Sequence, residues 1–202
     1  PLHPTMVRPG NFPSTNFSTR LVYMGRGLPD DIKAVDGIDL AGAVAVMEFD
    51  SNHQWQRLLR FGMAGFIFIG AGQHAYNDAK SKLTSSEVPV PRYYVAQDRG
   101  GELRALVRAK PRDGRIVVEP TRWEPGMLRD LWVLIPGADP SFGREVVVFT
   151  APIDANCIVP DLAFGGQSAG NLYLLINLLR RFAADPPARS VLLVAVNGHT
   201  MG

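Results

Sequence analysis

The chain has 202 residues, of which 46% are hydrophobic and 20% charged, with 20 glycines and 16 prolines. That composition excludes a disordered chain and predicts a folded protein of one large or two small domains, rich in loops and turns. A formal net charge of +2, with the arginines scattered, excludes the dense basic face that a phosphate backbone requires, so nucleic acid is not an expected partner.

Cys157 is the single cysteine, so neither an internal disulfide nor a cysteine-based zinc knuckle can form, and cysteine usage does not report the compartment. No apolar run reaches the roughly 18 to 20 residues needed to cross a bilayer, so no membrane segment is expected within this chain. Pro1 cannot begin a signal peptide of the usual design. The stop at Met201-Gly202, just after an apolar strand, gives the expectation of more chain in the parent protein.

In chain order, residues 1–18 carry Pro1, Pro4, Pro9, Gly10 and Pro13 and read as an extended lead-in. Arg20 to Gly25 is a short strand, Gly27 to Asp31 a turn-rich stretch, and Ala43 to Phe49 an apolar strand. Asp50, Ser51 and Asn52 offer helix caps to a segment in which Trp55, Leu58 and Leu59 recur at helical spacing before Gly62 ends it. Trp55 and Phe61 are expected in the core. Phe66 to Ile69, between Gly65 and Gly70, reads as a strand buried on both faces. Val88-Pro89-Val90-Pro91 precedes a strand, Arg92 to Val95, in which Tyr93 and Tyr94 alternate so that one ring could be exposed. Leu103, Leu106 and Val107 mark a short helix starting near Gly100, and Arg115 to Glu119 supplies another strand.

The pattern breaks around Trp123 to Gly126, which makes residues 120–130 the boundary candidate. Beyond it, Glu145 to Thr150 is a strand, Gly170 to Phe182 a helix closed by Arg180-Arg181, and Ser190 to Val196 another strand. Strand, helix and strand, with both strands nearly continuous in apolar residues, predict a parallel crossover unit. Its active positions should lie at the strand C-terminal ends, in Ala151 to Ala155 and Asn197 to Gly202.

The run IDLAGAVAVMEFDSNHQWQRLLRFGMAGFIFIG, Ile38 to Gly70, followed by VPVPRYYV and by Gly101 to Leu106, resembles the protease-associated domain. Residues 145–202 resemble the opening of the di-zinc aminopeptidase fold that commonly accompanies that domain. After the lead-in over 1–18, the resemblance implies a protease-associated domain over 19–125 and the truncated start of a zinc-aminopeptidase-like domain over 126–202. In active members a strand ends in His-x-Asp, a Gly-rich loop supplies a bridging Asp before a helix, and the next strand ends in Gly-Glu-Glu. Two zinc ions need several carboxylate and imidazole ligands, and one Glu activates the bridging water. Carried onto this sequence, the His position falls on Pro152, Asp154 matches the Asp, and the bridging Asp falls on Gln167 or Ser168. His199 replaces the general base and Thr200 a ligand. The resemblance therefore implies a non-catalytic relative, similar in kind to transferrin receptor and nicastrin.

Rival readings stand beside this one. Gly166-Gln167-Ser168-Ala169-Gly170 matches the Gly-x-Ser-x-Gly nucleophile elbow, which would make Ser168 a serine-hydrolase nucleophile, or else it is a Gly-rich helix start. An elbow is fed directly by a buried strand, whereas Pro160-Asp161 interrupts the preceding stretch, and no His-Gly-Gly-Gly oxyanion segment occurs. The same glycines do not have the spacing of a phosphate cradle. His199 reads either as a base or ligand or as a hydrogen-bonded loop histidine, and Asp154 as a ligand or a turn cap.

The expected fold class is α/β: a small mixed α/β protease-associated domain plus a truncated parallel α/β aminopeptidase-like, phosphorylase/hydrolase-like segment. The expected function is non-catalytic recognition or assembly with a protein or peptide partner in an extracytoplasmic setting. No catalytic residue, cofactor or metal is expected; zinc enters only if other ligands restore the site, as in a zinc-dependent exopeptidase. Partner identity and oligomeric state stay open.

Overall fold

A computed structural model describes residues 3–4, 15–72, 78, 81–82, 88, 90–118, 125–154 and 165–198. They form an α/β fold with two sheets and fall into two compact units, one within Pro1–Trp123 and the other within Glu124–Asn156 and Ala163–Gly202.

The first unit holds β1 (His3–Pro4), β2 (Thr15–Tyr23), α1 (Pro29–Lys33), β3 (Val44–Glu48), α2 (Gln54–Leu58), β4 (Gly65–Ile69), β5 (Arg92–Val95), α3 (Gln97–Ala109) and β6 (Arg112–Val118). Its sheet runs β1-β5-β4-β3-β2-β6, with β2 to β5 parallel and the two edge strands antiparallel. Apolar residues fill both faces of the central strands, and every residue of β4 is buried. One face packs Val44, Val46, Ile67, Ile69 and Val95 against Val107 of α3. The other stacks Phe66 and Phe68 beneath Trp55 of α2, whose ring meets Phe66 edge-on at 5.4 Å and whose Nε1 donates to the Ser81 carbonyl at 3.1 Å.

Several local expectations are corrected. β2 begins at Thr15 rather than Arg20, because its first half pairs with β6 through a Thr15↔Val118 to Leu21↔Arg112 ladder that its polar residues had concealed. α3 begins at Gln97 rather than near Gly100. Gly100 is a close-approach position inside the helix, where a Cβ would overlap Ile69 Cγ2. No side chain of Asp50, Ser51 or Asn52 caps α2, whose N-cap is His53. Ser51 is buried and its hydroxyl accepts from the Lys82 ammonium at 3.1 Å. Phe61, expected in the core, is 43% exposed, because the chain tightens into a 3-10 turn at Leu59–Phe61 and leaves it through Gly62 at φ 73°.

The second unit holds β7 (Leu131–Ile135), β8 (Val146–Pro152), α4 (Gly166–Ala184) and β9 (Ser190–Val196). β8 and β9 are parallel, joined by the expected crossover through α4. β7, which the sequence reading had not marked, pairs antiparallel on the other side of β9. α4 covers one face, packing Leu175 onto Ile135, Ala151, Val191, Leu193 and Ala195. The register places Trp132, Leu134, Val146 and Val148 on the opposite face, and all four are exposed. α4 continues past Arg180-Arg181 to Ala184, with Arg181 paired to Asp185 at 2.8 Å. Among the described residues no helix is long and apolar enough to cross a membrane.

Candidate functional site

Parallel strands aim their unpaired C-terminal ends at one edge of a sheet, and loops leaving that edge carry the chemistry in folds of this kind. β8 ends at Pro152, in register with Val196 at the end of β9, and the Ile153 N–H donates to the Val196 carbonyl at 2.9 Å. These bonds fix the path of the chain into Asp154, which is half-buried. Pro152 has neither a side-chain donor nor a lone pair to offer a cation. Among the described residues, Asp154 is the one carboxylate that this strand end supplies.

α4 starts beside it. Gly165 is its N-cap, without a side-chain cap bond, and Ser168 lies in the first turn. The Ser168 hydroxyl donates to the main-chain carbonyl of Asp154 at 2.5 Å, tying the helix start to the end of β8. This geometry differs from a nucleophile elbow, which sets its serine on a strained turn between strand and helix. Ser168 is inside a regular helix, has no positive φ, and directs its proton to a carbonyl oxygen rather than to a base. Gln167 shares that first turn, and its side chain lies outside the described residues.

At the end of β9, Asn197 and Gly198 follow Val196. The Asn197 N–H donates to Asp130 Oδ1 at 2.7 Å, and its side-chain oxygen accepts from the Gly198 N–H at 2.8 Å. Gly198 takes φ 68°, a left-handed conformation that glycine adopts without strain. Asp130, just ahead of β7, is a strand-end carboxylate that the sequence reading missed; it stands 67 residues from the amide it holds, beyond the reach of spacing rules. His199 and Thr200 lie outside the described residues.

The structure thus brings Pro152, Asp154, Ser168 and Asn197 to one edge of the second unit, and adds Asp130. A dinuclear zinc site needs a set of carboxylate and imidazole ligands that converge and carry enough negative charge to hold two divalent ions together. The described residues do not fit that requirement: Pro152 donates nothing, Ser168 is a neutral hydroxyl committed to a carbonyl, and Asp130 holds a main-chain N–H. Among them, no three of His, Cys, Asp or Glu converge.

No family model matches the chain, and no curated protein sequence matches it. Solved structures do. The chain is similar to a zinc aminopeptidase from Bacillus subtilis with a TM-score of 0.54 and 12% identity, over 92% of this chain and 43% of that one. An aminopeptidase from Aneurinibacillus sp. strain AM-1 matches with a TM-score of 0.45 and 15% identity, over 92% of this chain and 44% of that one. A peptidase M28 precursor from Shewanella amazonensis SB2B matches with a TM-score of 0.45 and 12% identity, over 96% of this chain and 48% of that one. This chain spans less than half the length of each. The first of these carries the conclusion that the fold is aminopeptidase-like.

Proposed function

We propose that this chain belongs to a non-catalytic peptidase-like protein that acts in protein or peptide recognition or assembly. In this reading the first unit is a recognition module of the protease-associated type, and the second an aminopeptidase-like fold whose strand ends have exchanged metal ligands for structural bonds. The setting is extracytoplasmic, on the same resemblance. The observation that carries the proposal is the pairing at the end of β8. Pro152 stands where the resemblance asks for an imidazole, and the Ser168 hydroxyl, at one of the two positions matched to the bridging carboxylate, donates to the carbonyl of Asp154.

The alternative of a zinc-dependent exopeptidase draws support from the likeness in fold to a zinc aminopeptidase and from two carboxylates, Asp130 and Asp154, on loops at one sheet edge. The two readings part in a simple assay. The full-length parent protein, supplied with zinc, is incubated with aminoacyl p-nitroanilides and short peptides, with and without a chelator. The proposal predicts no chelator-sensitive release of product. Chelator-sensitive turnover that follows the protein through purification would establish the exopeptidase.

A further inference from the structure

The first unit contains a crevice of about 400 Å3, within the range of small-ligand pockets, between the end of β2, the segment after α1 and the C-terminal end of α3. Its apolar lining includes Val22 and Val107, both buried, and Val35 and Ile38, both half-buried. Two cations stand on its rim, Arg108 in the last turn of α3 and Lys110 just past it, both exposed. Neither forms an ion pair among the described residues.

The neighbouring charges are already engaged. Arg104, one turn earlier on α3, holds Glu48 with two bonds of 2.6 Å. The Tyr23 hydroxyl donates to the same carboxylate at 2.6 Å, which fixes the ring beneath the Arg108 guanidinium, 5.9 Å from its centroid. Asp31, on the crevice wall, accepts the N–H groups of Arg26 and Leu28 at 3.0 Å each. The hollow therefore presents apolar lining beside two cations that form no ion pair among the described residues, with the Asp31 carboxylate on its wall held by two main-chain N–H groups. A helix end favours a cation by itself, but it does not require an apolar cavity of this size beside it.

We propose that this crevice binds the C-terminal end of a peptide, with an apolar last side chain in the hollow and the terminal carboxylate between Arg108 and Lys110. A carboxylate meeting two cationic donors beside a low-dielectric surface forms charge-assisted hydrogen bonds, while the apolar side chain selects the residue that carries it. This gives the recognition role a ligand class and rests on that reading for its peptide context.

The test uses the whole chain and a fluorescein-labelled tetrapeptide ending in Leu-Leu, as the free acid and as the C-terminal amide, followed by fluorescence polarisation. The free acid should bind at least about tenfold more tightly than the amide, because the amide lacks the charge. Arg108→Gln combined with Lys110→Gln should bring the free acid down to the level of the amide, with the thermal transition unchanged because both side chains are exposed. Ile38→Glu should abolish binding of both peptides by placing a like charge in the hollow. Equal binding of acid and amide overturns the proposal. A preference for the acid that survives the double substitution also overturns it, since the peptide is then held elsewhere and only the general recognition role stands. If neither peptide binds up to millimolar concentration the crevice assignment fails, while the non-catalytic reading is judged separately on zinc content and hydrolysis.

Discussion

Replacing Lys82 by methionine should change how the stability of the first unit depends on pH. The Lys82 side chain is fully buried, with its ammonium 4.9 Å from the Phe68 ring centroid and 5.4 Å from that of Phe49. It donates to the Asn52 carbonyl at 2.9 Å and to the hydroxyls of Ser51 and Ser81 at 3.1 and 3.3 Å. Burial lowers its pKa from 10.5 to about 7, against the opposing pull of Asp78 and Asp50. Between those values the unfolded chain keeps the lysine proton and the folded chain has released it. The unfolded state thus binds more protons, and stability must rise with pH. The slope is at most about 1.4 kcal/mol per pH unit, which gives about 2 kcal/mol between pH 7 and about pH 9, where few tyrosines are yet ionised. Methionine keeps the unbranched stem but cannot titrate, so the variant should lose this slope whatever its absolute stability. Urea unfolding followed by the fluorescence of Trp55 at a series of pH values, with Trp123 and Trp132 replaced by phenylalanine, measures both proteins. Equal pH slopes for the two, or wild-type stability that falls over this range, would refute the assignment of a buried, weakly basic lysine.

Trp55→Ala removes the ring that Phe66 and Phe68 meet edge-on, and should cost about 3–5 kcal/mol in urea unfolding. Gly100→Ala places a methyl group against Ile69 and should cost about 1–3 kcal/mol, despite the better helix propensity of alanine. Glu48→Gln removes the charge and one of the two acceptors that Arg104 holds, and should destabilise the first unit by about 1–3 kcal/mol. It should also bring the Tyr23 pKa, raised from 10.0 to about 12 by burial first and the Glu48 hydrogen bond second, part of the way back, as read by ultraviolet titration. Ser168→Ala should cost about 0.5–1.5 kcal/mol through loss of its bond to Asp154 and leave fluorophosphonate labelling at background; labelling that disappears with the substitution would restore the hydrolase reading.

What could be read from the sequence follows the range of the forces involved. The all-apolar run of β4 announces a strand buried on both faces, and the apolar strands β8 and β9 flanking the amphipathic α4 announce a parallel crossover, because burial is written in local pattern. Gly62 ends its helical segment because only a left-handed residue serves there. β7 escaped notice because its run Leu131–Ile135 takes its meaning from pairing with β9, some sixty residues later in the chain. Gly100 looked like a helix start because sequence alone cannot tell a glycine that begins a helix from one that lets it approach a strand. Long cationic side chains are ordinarily exposed, and the burial of Lys82 and Arg92 depends on partners such as Ser51 and Trp55 that only the folded chain brings near. At the candidate site, Pro152 and Ser168 could be matched to positions by resemblance. The bonds that occupy that edge, Ser168 to Asp154 and Asn197 to Asp130, are tertiary and could not.

The most direct test of the account is the zinc content of the full-length parent protein, purified without added metal or chelator and measured again after dialysis against zinc. A second unit whose strand ends carry structural bonds in place of ligands should hold well under one zinc ion per chain in both preparations, with an unfolding transition that zinc does not raise. Two zinc ions per chain, with a transition that rises on zinc binding, would contradict the account and make the edge around Asp154 and Asp130 a metal centre.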